Sequence, residues 1–352
     1  MQKYRLFSVA AAALATVLSF GAHAEKKDHF SVCWTLYAGW MPWGYAETSG
    51  IIDKWAKKYD IAIDVVQLND YVESINQYTV GQFDGCAMTN MDALTIPAAS
   101  GVDSTVLIAS DYSNGNDGLL IKGEGKTLAD IKGMQVNLVE LSVSHYFLAR
   151  ALETAGLSER DIKVVNTSDA DIVAAFATDD VKAAAAWNPM LAEIKTAPGV
   201  TEVFDSSKIP GEILDMMVIN TQTLADNPAL GKALLGAWFE MMGLMQAGNE
   251  AALTEMAKAS GTDLEGYKAQ LATTKLFYTP QEALEFATSN TLPESMAKVA
   301  QFSFDHGILG EGASSAGDIG MAFAGDVIVG DAANVKLRFD PRYIQLAVDG
   351  KL

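Results

Sequence analysis

Phe30–Leu68 reads FSVCWTLYAGWMPWGYAETSGIIDKWAKKYDIAIDVVQL, and its pattern decides the fold. FSVCWTLY is a short apolar run rich in β-branched and aromatic residues, as in a buried strand. Gly44–Tyr59 then places Ile51, Ile52, Trp55 and Tyr59 on one side of a helix. IAIDVVQL returns to strand character. Strand, helix and strand in succession make a βαβ unit, the building block of parallel sheets.

Outward from this unit the alternation continues. Tyr71–Val80 reads as a helix, and GCAMTN and STVLIAS read as strands with a helix from Asp92 between them. Asp111–Gly118, DYSNGNDG, is a loop by composition. The pattern then restarts with LLIK, MQVNLV, a helix Val143–Ala155, IKVV, a helix Asp169–Ala177 and KAAAAW. MMVIN, next to Asp215, reads as a strand leading back to the first half. Ala229–Ala247, Glu250–Ala259, Gln281–Ser289 and Pro293–His306 read as helices, so the C-terminal third is expected to be mainly helical. A chain of 352 residues is more than one core usually organises. The expected architecture is α/β, with residues 25–112 plus 218–352 in a discontinuous first lobe and 113–217 in a second.

The first residues, MQKYR, are basic, the apolar run LFSVAAAALATVLSFGA follows, and Ala22-His23-Ala24 supplies the small-residue pattern of a cleavage site. Residues 1–24 are therefore expected to be a signal peptide cut after Ala24, which places the protein in the periplasm. The formal net charge is −19, which makes nucleic acid and anionic membranes poor partners. Cys33 and Cys86 sit in apolar runs that read as buried strands; if the strands are neighbours an oxidising compartment could join them, but two free thiols are the favoured reading because side-by-side positions in a parallel sheet rarely meet disulfide geometry.

Ligands of open α/β sheets lie beyond the carboxyl ends of the strands. That rule selects Cys33–Tyr45, Asp84–Pro97, Ser110–Gly118, Val139–Tyr146, Ala186–Met190 and Ile213–Met217, which hold Asp84, Asp92, Asp111, Asp117, Glu140 and Asp215 and no Lys or Arg. Glu140 sits between the strand MQVNLV and the helix opened by Ser142 or Val143, where it either meets a ligand or caps the helix. Asp92 follows Asn90 at another strand-to-helix junction, with the same two readings. Asn90 can accept from a ligand N–H, and Ser142 and Ser144 present hydroxyls. Asp215 serves either a hinge or a ligand, and Asp111 and Asp117 flank an Asn/Gly-rich loop as turn formers. Trp55 falls on an apolar helix face and belongs to the core. Trp34, Tyr37, Trp40, Trp43 and Trp187 lie at or just after strand ends, where rings can wall a pocket for a small planar ligand. Acids flanked by rings suit a cation.

Signals of catalysis and metal binding are weak. His23, His29, His145 and His306 are scattered, without zinc-ligand spacing. Gly123-Glu124-Gly125-Lys126-Thr127 resembles the end of a phosphate-binding loop, but Leu120 stands where the first glycine is needed. No Gly-x-Ser-x-Gly nucleophile elbow is present. No cofactor is expected.

WTLYAGWMPWGYAETSGIIDKWAKKYDI, QLNDYVESINQYTVGQFDG, MTNMDALTIPAASGVDSTVLIASDYSNGND, VNLVELSVSHYFLARAL, VVNTSDADIVAAF and AAWNP span most of residues 31–190. In these stretches the chain resembles the periplasmic solute-binding proteins of nitrate/taurine-type ABC importers. It is similar, more narrowly, to the branch associated with urea carboxylase gene regions, whose members are labelled urea binders and which the family context ties to guanidine. The resemblance implies a type II periplasmic-binding-protein fold and a monomer that captures one solute by lobe closure. It further implies delivery to a membrane permease driven by an ATPase, and no enzymatic activity. Glu140 and Asp92 are expected to neutralise a cationic solute, guanidine first, with Asn90, Ser142 and Asp215 completing the hydrogen bonds and Tyr37, Trp40 and Trp187 forming the walls. Urea or a short amide is the rival solute. An enzyme on the same fold is the rival from another class.

Overall fold

The structure, a computed structural model, describes residues 27–310 and 312–352; the segment read as a signal peptide, with its cleavage after Ala24, lies outside the described residues. The strands in chain order are β1 His29–Trp34, β2 Ala62–Gln67, β3 Gly85–Thr89, β4 Ser104–Ser113, β5 Asp117–Lys122, β6 Gln135–Leu138 and β7 Lys163–Asn166. They continue with β8 Ala183–Trp187, β9 Val200–Asp205, β10 Leu214–Asn220, β11 Thr274–Leu276, β12 Gly320–Phe323, β13 Val327–Val329 and β14 Val335–Phe339. Among the described residues the larger sheet has nine strands, ordered β13-β12-β14-β4-β10-β3-β1-β2 with β11 against β4, and the smaller has five, ordered β7-β6-β8-β5-β9. The α/β expectation holds.

The chain passes from the larger sheet to the smaller between Ser113 and Asp117 and returns between Asp205 and Leu214. Residues 214–217 pair in the larger sheet rather than with the 113–217 lobe. GCAMT and LDMMVIN are near-continuous apolar runs because β3 and β10 are central and covered on both faces. β10 runs antiparallel to both its neighbours, so its first residues meet the carboxyl ends of β3 and β4, with Asp215 opposite Thr89 and Asp111. This crossing brings Asp111 of β4 and Asp215 of β10 together at one rim, beside the end of β3.

The helices that shape the rim are α1 Met41–Thr48, α2 Ile51–Lys58, α3 Tyr71–Thr79, α4 Asn90–Ala93 and α5 Val143–Thr154. The single helix expected over Gly44–Tyr59 is two, because Gly50 takes φ 77° and breaks it, a left-handed turn that glycine adopts without penalty. Asp70 starts α3 by accepting the Glu73 N–H at 2.8 Å, an ordinary N-cap.

Three expectations are corrected. Cys33 and Cys86 stand directly opposite each other on parallel neighbours β1 and β3, their Cα atoms 4.4 Å apart, and they are bonded as a disulfide. The strands approach closely enough at this pair to meet the short end of the allowed span. The C-terminal third is also less purely helical than read, because β12, β13 and β14 extend the larger sheet beyond β4. These strands are three to five residues long, too short to register as periodic runs. Trp43 and Trp34 are core residues rather than pocket walls: Trp43 stacks on Trp238 of the helix Pro228–Gln246 at 4.8 Å. Trp34 packs so tightly that a Cβ on Gly44 would come within 2.5 Å of it. Among the described residues no helix is long and apolar enough to cross a membrane.

Candidate functional site

Where the two lobes meet, Tyr37, Trp40, Tyr71, Thr89, Asp117, Val143, Trp187, Ile213 and Asp215 enclose a small cavity. It leaves about 20 Å³ in which the centre of a water-sized group can move, so it admits a solute of a handful of heavy atoms. The rings form a continuous wall: Tyr37 to Trp40 at 5.1 Å, Trp40 to Tyr71 at 5.9 Å and Tyr71 to Trp187 at 5.6 Å between centroids. The lobes are shut across it. Trp187 Nε1 donates to the Leu36 carbonyl at 3.1 Å, Ala38 N donates to the Asn188 carbonyl at 3.1 Å, and Asp169 of the smaller lobe accepts the Tyr71 N–H at 3.1 Å.

Four carboxylates face or back this space. Asp92, Asp111, Asp117 and Asp215 are 0, 0, 4 and 3% exposed, and among the described residues no Lys or Arg hydrogen-bonds or ion-pairs with any of them. On one side the Tyr71 hydroxyl and the Thr89 hydroxyl donate to Asp92 Oδ2 at 2.6 and 2.7 Å, and the Val143 N–H reaches the same oxygen at 3.4 Å. The other oxygen, Oδ1, is buried without a partner. Across the cavity the Tyr37 hydroxyl donates to Asp111 Oδ1 at 3.0 Å, and Ser113 Oγ donates to Asp117 Oδ2 at 2.5 Å. Asp111 Oδ2 and Asp215 Oδ2 are likewise buried and unpartnered.

Burial makes the ionised forms expensive. Desolvation, only partly offset by the hydrogen bonds from Tyr71, Thr89 and Val143, pushes Asp92 up to about 6. Desolvation, opposed by Ser113 and reinforced by the Asp111 charge, pushes Asp117 up to about 6. Asp111 and Asp215 stand opposite each other across β4 and β10 and are raised first by burial, with Asp215 raised further by the charge of Asp111. Two carboxyls so placed share a proton more readily than they both ionise. The Tyr37 and Tyr71 phenols are also raised, by burial first and by the adjacent acids second, and remain donors.

The sequence-predicted residues separate. Tyr37, Trp40, Trp187 and Asp215 line the cavity, and Asp92 stands directly behind Tyr71 and Thr89. Three expectations fail. Glu140 is exposed, because β6 ends at Leu138 and the chain turns away through Leu141 at φ 61°. Ser142 caps α5, and its hydroxyl is spent on the Val139 carbonyl and the Ser144 N–H. Asn90 has both ends of its amide occupied, donating to the Glu212 carbonyl at 3.0 Å and accepting the Leu214 N–H at 3.1 Å. Asn90 therefore pins the second crossover. Of the other acids, Asp84 lies at the opposite, amino end of β3, ion-paired to Lys27 at 2.6 Å. Asp111 and Asp117 are not turn formers: β4 and β5 run through them, leaving only three residues between the strands.

Thr89, Val143 and Ile213 fall inside the strand-end segments without being singled out as site residues, and Tyr71 lies outside those segments. Tyr71 carried one usable signal, its place as first residue of a helix capped by Asp70. Val143 carried only its place in a selected segment, since it enters through its main-chain N–H.

The sequence profile described as NMT1/THI5 like matches residues 53–246, more than half of the chain. A binding protein of Brucella abortus strain 2308 is 26% identical over 169 residues, covering 47% of this chain and 52% of that protein. A protein of Escherichia coli K12 named for aliphatic sulfonates binding is 30% identical over 136 residues, covering 39% of this chain and 42% of its own length. The matched region thus spans about half the length of these curated relatives. The alkanesulfonate-binding protein SsuA of Xanthomonas axonopodis pv. citri, solved with MOPS bound, superposes with TM-score 0.68 at 17% identity, over 82% of this chain and 96% of that one. At that identity the likeness is one of fold, and the fold is that of a periplasmic binding protein.

Proposed function

Since the chain belongs to the NMT1/THI5-like family, we propose that it is the solute-binding component of an ABC importer, a periplasmic receptor rather than an enzyme, and that its solute is a small planar cation, guanidinium first. Four buried carboxylates in and behind the wall of one small ring-lined cavity, with no cationic side chain beside them among the described residues, carry the reading. Ionised carboxylates only accept hydrogen bonds, and guanidinium offers only donors in one plane, on edges that can meet the lining acids Asp117 and Asp215, while Asp92 and Asp111 behind the wall add negative charge. Aromatic faces add attraction to a cation. An oxyanion of the kind named for the sulfonate-binding relatives would face these acids with no positive partner, which costs several kcal/mol in a desolvated site.

The raised carboxyls support one other reading. A protonated aspartic acid donates, so a site that keeps its protons can hold a carbonyl oxygen, and urea or a short amide then fits the same space. Isothermal titration at pH 7.5 with guanidinium, urea, taurine and nitrate separates these. Guanidinium binding at least tenfold tighter than urea is expected, and a preference for urea or for either anion overturns the cation reading. Lobe closure over the solute would then present the surface that a permease and its ATPase read.

A further inference from the structure

The lobes also meet away from the cavity. His306 ends the helix Thr291–Asp305, which packs with the larger sheet, whereas His145 on α5 and Glu159 in the turn Glu159–Asp161 belong to the smaller lobe. Glu159 Oε1 faces Nε2 of His145, and Oε2 faces Nε2 of His306.

The partners of the remaining ring nitrogens assign the protons. His145 Nδ1 accepts the Leu141 N–H at 3.1 Å, so its proton sits on Nε2 and the neutral ring already donates to Glu159. His306 Nδ1 lies 2.9 Å from the Phe302 carbonyl oxygen, which can only accept, so Nδ1 carries a proton. Its Nε2 would then set a lone pair against a carboxylate unless it is protonated too. The contact is complete only with His306 as an imidazolium. A metal ion cannot replace that proton with His145 as a ligand, because the lone pair of His145 Nε2 is not free.

The surroundings favour the same state. His306 is the C-cap of a fifteen-residue helix, where the helix dipole favours positive charge, and its ring stacks on Phe302 at 4.0 Å. Arg150 and Glu153 on α5 and Lys298 and Asp305 on the His306 helix share the groove. Arg150 is engaged by Glu153 and Glu212, and Lys298 by Glu212 at 3.7 Å, which leaves Glu159 to the histidines. Burial would raise the Glu159 carboxyl, but the two imidazoles outweigh it and hold it below its ordinary value, so it is a carboxylate wherever histidine titrates.

We propose that His306 and Glu159, backed by His145, form a proton-operated clasp that holds the lobes shut while His306 is charged and lets them part when it loses its proton. The clasp rests on the reading of this chain as a receptor that works by lobe closure. A proton bound in the closed form and lost in the open one favours closure at low pH and opening as the pH rises.

Spin labels on exposed Glu250 and Lys163, one on each lobe, report the open fraction of solute-free protein at pH 5.5 and 8.5. The cavity acids also favour opening at high pH, so the clasp is read from the difference between wild type and His306→Gln, which keeps a donor but cannot titrate. Wild type is expected to shift its open-to-closed ratio at least threefold more than His306→Gln. Glu159→Gln is expected to lose the same component, and the double variant no more than either single one. Equal pH profiles for wild type and His306→Gln, or additive losses in the double variant, overturn the clasp. Guanidinium is added as a separate arm: closure by guanidinium with equal profiles sinks the clasp alone. Unequal profiles without any response to guanidinium sustain the clasp and sink the cation reading.

Discussion

Replacing Asp92 by asparagine should make the solute-free protein more stable and the receptor worse. All three donors to Asp92 converge on one oxygen, Oδ2, while Oδ1 is buried and unpartnered. An asparagine can keep its carbonyl oxygen toward Tyr71, Thr89 and Val143 and place its NH2 where the orphan oxygen stands, so packing is preserved. The aspartate, in contrast, is held at about 6 in the folded chain, against about 3.9 when unfolded, a difference on the order of 3 kcal/mol at 1.36 kcal/mol per pH unit. Because the folded value is the higher one, the ionised group destabilises the fold. This penalty is absent below about pH 4, grows as the pH rises, and is complete above about pH 6. Asp92→Asn should therefore gain about 1 to 3 kcal/mol in urea unfolding at pH 8 and close to nothing at pH 4. Guanidinium binding should move the other way. A cation about 4 Å from a carboxylate gains roughly 4 kcal/mol at an effective dielectric of 20, and allowing for imperfect geometry the variant should lose about a hundredfold in affinity, read by titration calorimetry. A variant that is destabilised at pH 8 yet binds guanidinium within twofold of wild type would refute the reasoning at both steps.

Other consequences are accessible to the same methods. Guanidinium capture should release protons near pH 6 and far fewer at pH 8, because Asp92 and Asp117 are pushed up to about 6 and must ionise to meet the cation; calorimetry in buffers of different ionisation enthalpy counts them, and affinity that fails to rise from pH 5 to pH 8 would contradict the linkage. Gly39→Ala should cost at least tenfold in guanidinium affinity, since a Cβ there would lie 2.5 Å from the Tyr37 ring and 3.1 Å from Asp111 Oδ2 and would turn the phenol out of the wall; unchanged binding in calorimetry would show that the ring is not needed. Breaking the disulfide by Cys33→Ala and Cys86→Ala removes a cross-link over a sequence separation of 53, and urea unfolding should show a loss on the order of 4 kcal/mol from released chain entropy. A change under 1 kcal/mol would place the stability of β1 and β3 in packing alone.

The βαβ repeat and the two crossovers were legible because strand and helix periods differ and the central strands are short, fully apolar runs. Asp215 and the rings of Tyr37, Trp40 and Trp187 were legible for a related reason, namely that strand ends in such sheets point into a cleft. What composition could not settle was direction. Glu140 and Asp92 both follow a strand and both precede or open a helix, yet one faces solvent and the other is fully buried. The difference lies in a single backbone turn at Leu141, which no residue type in VELSVSHY signals. Asp111 and Asp117 were obscured by their neighbours, since an Asn/Gly-rich stretch suggests a loop, whereas β4 and β5 carry their ladders through both acids. The disulfide depended on register, and register between β1 and β3 follows from packing rather than from the two cysteines.

The amino end of α5 carries much of the physical case for the proposed cationic solute. A helix N-terminus at the edge of a cleft presents unpaired N–H groups and a positive dipole end, a ready place for an anion. Here that place is already taken, because the Val143 N–H points at Asp92 Oδ2 and Ser142 closes the next N–H with its own hydroxyl. An external oxyanion would have to displace a carboxylate that is also held by Tyr71 and Thr89. Most donors of the cleft are thus consumed internally, although the buried Trp40 Nε1 and Ser144 Oγ have no partner, and the acceptors left over are Oδ1 of Asp92 and Oδ2 of Asp111 and Asp215. Buried acceptors without donors are costly, and a solute that supplies several N–H groups together with positive charge relieves all of them at once. Stability in the solute-free state and affinity for the solute are therefore opposed through the same atoms.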